Sequence, residues 1–327
     1  MADPADPSVF RRHGGRAVAA ARAYGLARGD ILDLSTGINP RPYPVWRGAQ
    51  AAAARLPDPE DLRALEAAAA KAFGAAPERV AAVPGAEAAI RLMPRLTGAR
   101  SVALDPTTYG GHAEAWRAAG AAIVGADARA QARVLVNPNN PDGRVVRAAV
   151  ILAEAASRWT IVDEAFADPD PRDSVADRAD GRLVVLRSFG KFYGLAGLRL
   201  GFVVAGEPVI AAVRAAFGDW PVSGAAIAAG RAAYADTGWR TRTRARLVRD
   251  AARLDRLLAE AGLDILGGTP LFRLAAAPHA QSLFDRLARA GILCRPFDQH
   301  PTWLRFGLPG PPAAWARLKA ALAGAAS

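Results

Sequence analysis

From Val80 onward, short apolar runs alternate with helical segments, and few architectures accept that pattern. The runs fall at Val80–Val83, Ser101–Leu104, Ala121–Val124, Arg133–Val136, Thr160–Val162, Leu183–Leu186 and Gly201–Val204, with helical periodicity over 85–97, 111–119 and 146–157. Short apolar runs without polar alternation are strands buried on both faces. A parallel sheet covered by crossover helices is the arrangement that buries them. The pattern predicts an α/β domain built on a mostly parallel seven-stranded sheet. It changes after Ser223, where 224–260 reads as one long helix, with a break admitted near Thr237-Gly238. A smaller α/β region follows, with strands near Leu271–Ala275, Gly291–Arg295 and Trp303–Gly307 and helices over 279–290 and 312–323. At the start of the chain, a short helix is expected from Ala17 to Tyr24 and a short strand at Ile31. Asp58-Pro59-Glu60 opens a further helix that should run to Phe73 and stop at Gly74. The expected organisation is an N-terminal segment of the small domain (1–45), a large domain (46–235) and the C-terminal part of the small domain (236–327).

Ligands of an open α/β sheet gather outside the carboxyl ends of its strands. One such end carries Ser188-Phe-Gly-Lys191-Phe-Tyr-Gly-Leu-Ala-Gly-Leu-Arg199-Leu-Gly201. The chain has three lysines, Lys71, Lys191 and Lys319, among 42 basic residues, so a lysine in this apolar loop is not there for charge alone. A lysine amine can form a Schiff base, which arginine cannot, and burial beside another cation favours its neutral, nucleophilic form. Ser188 before it and Arg199 after it suit a phosphate-bearing aldehyde held next to the amine. The competing reading is a structural loop with a solvated lysine.

Ser-x-x-Lys followed by Leu-x-Gly-Leu-Arg-x-Gly resembles the cofactor-lysine signature of class I/II aminotransferases, the fold type I enzymes that use pyridoxal 5'-phosphate (PLP). The resemblance extends from His13 to Arg305. It implies the fold type I PLP-dependent transferase fold, a large domain with a smaller α/β domain, PLP as cofactor, and a homodimer. It also implies roles. Lys191 bonds the cofactor. Gly85-Ala86-Glu87, a turn that opens a helix, cups its phosphate with backbone amides, joined by Ser188 and Arg199. Tyr109 stacks on the ring, although Asp105-Pro-Thr-Thr-Tyr109 has one threonine more than the usual Pro-Thr-Tyr. Asn140, in Asn137-Pro-Asn-Asn140-Pro141-Asp-Gly143, meets the ring hydroxyl and borders the substrate.

A carboxylate ending an apolar strand is costly unless paired. By the resemblance Asp163, in Ile161-Val-Asp163-Glu-Ala165-Phe166, keeps the pyridine nitrogen protonated, and Ala165 packs under the ring. Arg305 matches the arginine that holds the substrate carboxylate, and Arg295 a position that holds a substrate phosphate. His13, Gly37 and Asn39 belong to the N-terminal segment that closes over the phosphate end. Three positions depart from the pattern. Phe166 and Leu56 replace tyrosines, the second of which reaches the neighbouring subunit's cofactor, and Gly190 replaces a hydroxyl residue. His112 reads as a helix-surface histidine rather than a catalyst.

Within the family, four features are similar to the threonine-phosphate decarboxylases of cobalamin biosynthesis: Arg12-His13-Gly-Gly before an alanine-rich helix, Ser35-x-x-Ile-Asn39-Pro, Asp163-Glu-Ala-Phe166, and Trp303-Leu-Arg305-Phe-Gly-Leu-Pro. These imply a PLP-dependent carboxy-lyase acting on O-phospho-L-threonine to give (R)-1-aminopropan-2-yl phosphate. A histidinol-phosphate-type aminotransferase is the alternative. A PLP-binding protein without turnover is a third reading, opposed by the filled catalytic positions.

The formal charge of +11 raises nucleic acid as a partner, but the arginines are scattered among alanines with no basic run and no interleaved aromatics. An arginine- and alanine-rich codon bias is the plainer explanation, and a positive field would still help attract an acidic, phosphorylated substrate. A single cysteine, Cys294, excludes an internal disulfide and a multi-cysteine metal site. The N-terminus lacks the basic and apolar regions of a signal peptide, and no apolar stretch approaches a membrane span of ~18 residues. A cytoplasmic enzyme without metal, membrane or nucleic-acid partner is expected.

Overall fold

The structure, a computed structural model, describes residues 14–44 and 51–323. They fall into two compact units. One holds Pro42–Asn140 and Arg144–Thr243; the other holds the described parts of Met1–Arg41, Pro141–Gly143 and Arg244–Ser327.

Among the described residues, the second unit contributes the first helix and strand, helix α1 (Ala17–Ala23) and the two-residue strand β1 (Leu32–Asp33). The first unit then opens with α2 (Pro59–Phe73). Its ends follow from its sequence. The Asp58 carboxylate accepts from Glu60 N at 2.7 Å, Pro59 sits where no amide is needed, and Gly74 closes the helix at φ 74°.

Seven strands form the sheet of this unit: β2 (Val80–Val83), β3 (Ser101–Leu104), β4 (Ala122–Val124), β5 (Ala132–Val136), β6 (Trp159–Asp163), β7 (Leu183–Ser188) and β8 (Gly201–Val204). Their order is β2-β8-β7-β6-β5-β3-β4. β8 runs antiparallel to both neighbours and every other pair is parallel. Each expected run is a strand, displaced at an end by at most two residues.

Helices α3 (Ala86–Thr97), α4 (Gly110–Ala118), α5 (Ala148–Ala155), α6 (Phe189–Phe192) and α7 (Glu207–Phe217) punctuate the strands. Ile90, Met93, Trp116, Ile210 and Val213 from α3, α4 and α7 bury against Val134, Ile161, Val184 and Val203 of the sheet. Successive strand residues face opposite sides, so Phe202, next to Val203, looks the other way. It meets Phe73 at 5.6 Å and Tyr234 at 5.5 Å, edge to face.

The expected long helix is two, α8 (Gly224–Ala235) and α9 (Thr237–Glu260). Asp236 makes the break: its carboxylate accepts from Trp239 N at 2.8 Å, capping the new helix.

In the second unit an antiparallel sheet takes the order β12-β13-β10-β9, from β9 (Asp264–Thr269), β10 (Phe272–Ala276), β12 (Arg295–Pro296) and β13 (Trp303–Gly307). β11 (Ile292–Leu293) pairs with β1 in parallel instead, so the single strand expected over Gly291–Arg295 is divided between two sheets. α10 (Ala280–Arg289) and α11 (Pro312–Ala323) complete the unit. β9 has no apolar alternation. Its glycines answer to close approach: a Cβ on Gly267 would lie 2.2 Å from Asp142 O, and one on Gly268 2.3 Å from Phe272 O.

Candidate active site

Lys191 stands on α6, a single turn that leaves the end of β7. Its neighbours fix that turn. Phe189, Phe192 and Tyr193 are fully buried; Phe189 stacks on Tyr193 at 4.5 Å, and Tyr193 stacks on Trp239 at 5.6 Å. The lysine itself is half-buried, its Nζ 5.5 Å from the centroid of the Phe166 ring. Gly190 has no room to be anything else, because a Cβ there would meet Ala196 Cα at 2.7 Å. The missing hydroxyl at this position is thus a steric consequence of the following turn.

An anion cradle lies beside it. Ser188, at the end of β7, pairs with Gly201 on β8. A Cβ on Gly201 would stand 2.5 Å from Ala86 N, so the first turn of α3 presses against this strand. Gly85 precedes that turn at φ 85°, and a Cβ on it would stand 2.6 Å from Arg199 Nη2. Arg199 adopts φ 52°, left-handed for a residue with a side chain, and donates Nη1 to Ala196 O at 3.1 Å. The first amides of a helix have no carbonyl partner four residues back, and the helix dipole favours negative charge there. Gly85, Ala86, Glu87, Ser188 and Arg199 therefore lie beside one another, an arrangement that fits a phosphate monoester, but the Gly85 amide already donates to Val83 O at 2.6 Å, which corrects the donor role expected for it.

The ends of β3 and β5 bring two more of the expected residues. Tyr109 starts α4 and donates its phenol to Glu87 Oε2 at 3.0 Å. Burial first, and the Glu87 carboxylate second, raise its ionisation above the ordinary tyrosine range. The extra threonine of this loop has a use. Thr108 Oγ1 donates to Asn139 Oδ1 at 2.6 Å, and Asn139 Nδ2 donates to Thr107 O at 2.9 Å. The loop carrying Tyr109 is thereby tied to the turn carrying Asn140.

Asp163 closes β6 and is buried. Its Oδ1 accepts from Ala165 N at 3.0 Å, and its Oδ2 is 3.0 Å from His112 Nε2. His112 is 1% exposed, which corrects the surface position expected for it. The signal was present in the sequence. Tyr109, His112 and Trp116 lie three and four residues apart, on one face of α4, and that face is the buried one.

The remaining expected residues belong to the second unit. His13 lies outside the described residues. Gly37 is buried in the turn that Ser35 supports by donating Oγ to Asp33 Oδ1 and accepting from Gly15 N at 2.9 Å. Asn39 Oδ1 accepts from Arg41 N at 3.1 Å and from Arg246 Nη2 at 2.8 Å. Sequence reasoning missed Arg246, since nothing local marks one arginine of α9 over its neighbours. Arg305 pairs with Arg295 across β12 and β13, and its Nη2 donates to Ser35 O at 2.7 Å. Burial, and then the Arg295 charge, lower its pKa. The Asp33 carboxylate acts in the opposite direction, so two guanidiniums and a carboxylate lie together here.

Among the described residues no group of three or more His, Cys, Asp or Glu is placed to hold a metal, and no helix is long and apolar enough to cross a membrane.

The fold belongs to a known class. The sequence model of the aminotransferase class I and II family matches residues 29–318, and the chain belongs to that family. Within it, the chain is 42% identical over 327 residues to the threonine-phosphate decarboxylase of Pseudomonas aeruginosa, covering 95% of this chain and 97% of that one. It is 44% identical over 325 residues to the threonine-phosphate decarboxylase of a Sinorhizobium species, with the same two coverages, 95% and 97%. Among solved structures, the histidinol-phosphate aminotransferase of Sinorhizobium meliloti, in complex with pyridoxal-5'-phosphate, superposes with a TM-score of 0.79 at 22% identity, over 94% of this chain and 93% of that one. At that identity the likeness concerns the fold.

Proposed function

We propose that the protein is a PLP-dependent carboxy-lyase that decarboxylates O-phospho-L-threonine to (R)-1-aminopropan-2-yl phosphate in cobalamin biosynthesis, acting as a cytoplasmic homodimer. The observation that carries this reading is the identity to two threonine-phosphate decarboxylases over 95% of the chain. The residues gathered in the candidate site are consistent with it.

When bound, PLP supplies an electron sink for the pair released as carbon dioxide leaves. The chain supplies the rest. Lys191 offers the amine, on a turn that three buried aromatics hold still. Ser188, Arg199 and the amides of Ala86 and Glu87, at the turn that Gly85 opens, would hold the cofactor phosphate. Asp163, with His112 behind it, would keep a proton on the pyridine nitrogen, Asn140 would meet the ring hydroxyl, and Tyr109 and Ala165 would pack against the ring.

Arg305 binds the substrate carboxylate and Arg295 its phosphate, with His13, Gly37, Asn39 and Asn140 completing the substrate contacts. With PLP bound, the bond that would break is the one aligned with the ring's π system. A phosphate clamp at the far end can turn the amino acid until its carboxylate takes that place, so remote binding energy sets orientation at the reacting carbon.

The test is incubation of the PLP-loaded protein with O-phospho-L-threonine, assaying carbon dioxide release, and separately with histidinol phosphate and 2-oxoglutarate, assaying amino transfer. Carbon dioxide from the first and little transfer in the second is the expected result. The reverse outcome would make the protein a histidinol-phosphate-type aminotransferase.

A further inference from the structure

We propose that the Glu87 side chain is a positioning residue for Tyr109, fixing the plane of the tyrosine ring that is to cover the cofactor. The role of Tyr109 as the covering ring rests on the function proposed above; the latch itself does not.

Both oxygens of the Glu87 carboxylate are engaged. Oε2 accepts the Tyr109 phenol at 3.0 Å, and Oε1 accepts Arg91 Nε at 2.9 Å. Arg91 in turn donates Nη2 to Glu114 Oε2 at 3.1 Å, so the carboxylate is braced along α3 and across to α4. On its flank the ring lies against Gly111, where a Cβ would stand 2.5 Å from Tyr109 Cε1 and 3.1 Å from Glu87 Oε2. At its root, Thr108 is clasped to Asn139 at 2.6 Å. The ring is thus held at tip, flank and root.

The phenol hydrogen bond is the directional part of that grip. A half-buried aromatic needs no acceptor at its tip merely to shed apolar surface; an acceptor there sets the rotation of the ring. A ring already held in its working plane loses less freedom when a flat ligand settles on it. Glu87 also contributes its backbone amide to the anion cradle, so one residue ties the phosphate end of the site to the ring end. Because the phenol stays protonated well past neutrality, it remains a donor to Glu87 throughout the working range.

The test uses the full chain and four variants, Glu87→Ala, Glu87→Gln, Tyr109→Phe and the double Glu87→Ala/Tyr109→Phe. In the cofactor-free protein, ultraviolet difference titration identifies the Tyr109 phenol as the signal lost in Tyr109→Phe. That phenol should ionise at lower pH in Glu87→Ala than in the unaltered protein. In the PLP-loaded protein, Glu87→Ala and Tyr109→Phe should each release PLP about fivefold faster and reduce its visible circular dichroism, as expected for loss of one partly exposed charged hydrogen bond. The double variant should add nothing further. Glu87→Gln, which keeps an acceptor, should restore most of both signals. Unchanged PLP release and dichroism in folded Glu87→Ala, additive losses in the double variant, or an unmoved phenol titration would each overturn the latch. If the unaltered protein takes up no PLP, the proposed function fails, while the titration still decides the latch.

Discussion

At the scale of single residues, the proposed site would depend on a few side chains whose chemistry cannot be exchanged. Lys191 is one of three lysines and the only one in the glycine-rich loop after β7. Borohydride reduction of the PLP-loaded protein followed by peptide mapping should label Lys191 alone; label on Lys71 or Lys319 in its place would refute the assignment. His112 gives Asp163 a buried hydrogen bond at 3.0 Å that no solvent can replace. Such bonds to charged groups contribute ~1.5–3 kcal/mol, so His112→Ala should lower kcat by roughly tenfold or more with KM little changed. Steady-state kinetics on O-phospho-L-threonine would check this, and a loss confined to KM would count against it. Arg295→Ala should cut turnover of O-phospho-L-threonine far more than it weakens PLP. Unphosphorylated threonine should lose kcat as well as affinity if the proposed phosphate clamp acts on orientation.

At the scale of elements, the cradle is an agreement among β7, β8 and α3. Gly201→Ala puts a methyl 2.5 Å from Ala86 N, and the first turn of α3 must retreat. PLP affinity, measured by cofactor titration, should fall by about tenfold or more from the lost amide contacts. A second tie joins α2 to the sheet and to α7. Buried Glu66 accepts from Ala82 N at 2.9 Å and from Arg214 Nη2 at 2.9 Å. Desolvation raises its pKa despite the arginine. A carboxyl that is harder to ionise in the folded chain stabilises it most when protonated, and that contribution fades as pH rises from the ordinary glutamate range through the raised value. The melting temperature of the unaltered protein relative to Glu66→Gln should therefore decline across that window. A flat difference would show that Arg214 compensates the burial in full.

At the scale of the whole molecule, a homodimer is the expected state, closed two-fold pairs being the commonest oligomers. Leu56 is a large apolar side chain left 72% exposed in the isolated chain. Light scattering should give twice the chain's mass of 34.1 kDa, and a fully active monomer would contradict the proposal.

What the sequence by itself determined is what a few consecutive residues encode. The seven strands of the large sheet, the cap at Asp58 and the stop at Gly74 are written in local periodicity and local hydrogen bonding. The surroundings of Lys191 were legible for the same reason, since Ser188, Arg199 and the two apolar runs all lie within one short stretch. Tertiary structure decided what depends on distant partners. His112 reads as solvated until Asp163, 51 residues later, is brought beside it. Glu87 reads as one more acidic residue in a first turn until Tyr109, 22 residues on, lays its phenol against it. The run near Gly291 reads as one strand, yet β1 claims Ile292–Leu293 and β13 claims Arg295–Pro296. β9 carries no strand signal because its glycines answer to Asp142 and Phe272, not to each other. Periodicity reports which side of an element is apolar; only packing says which polar side chain on that side will find a partner, because a buried polar group is tolerated only where a specific partner meets it.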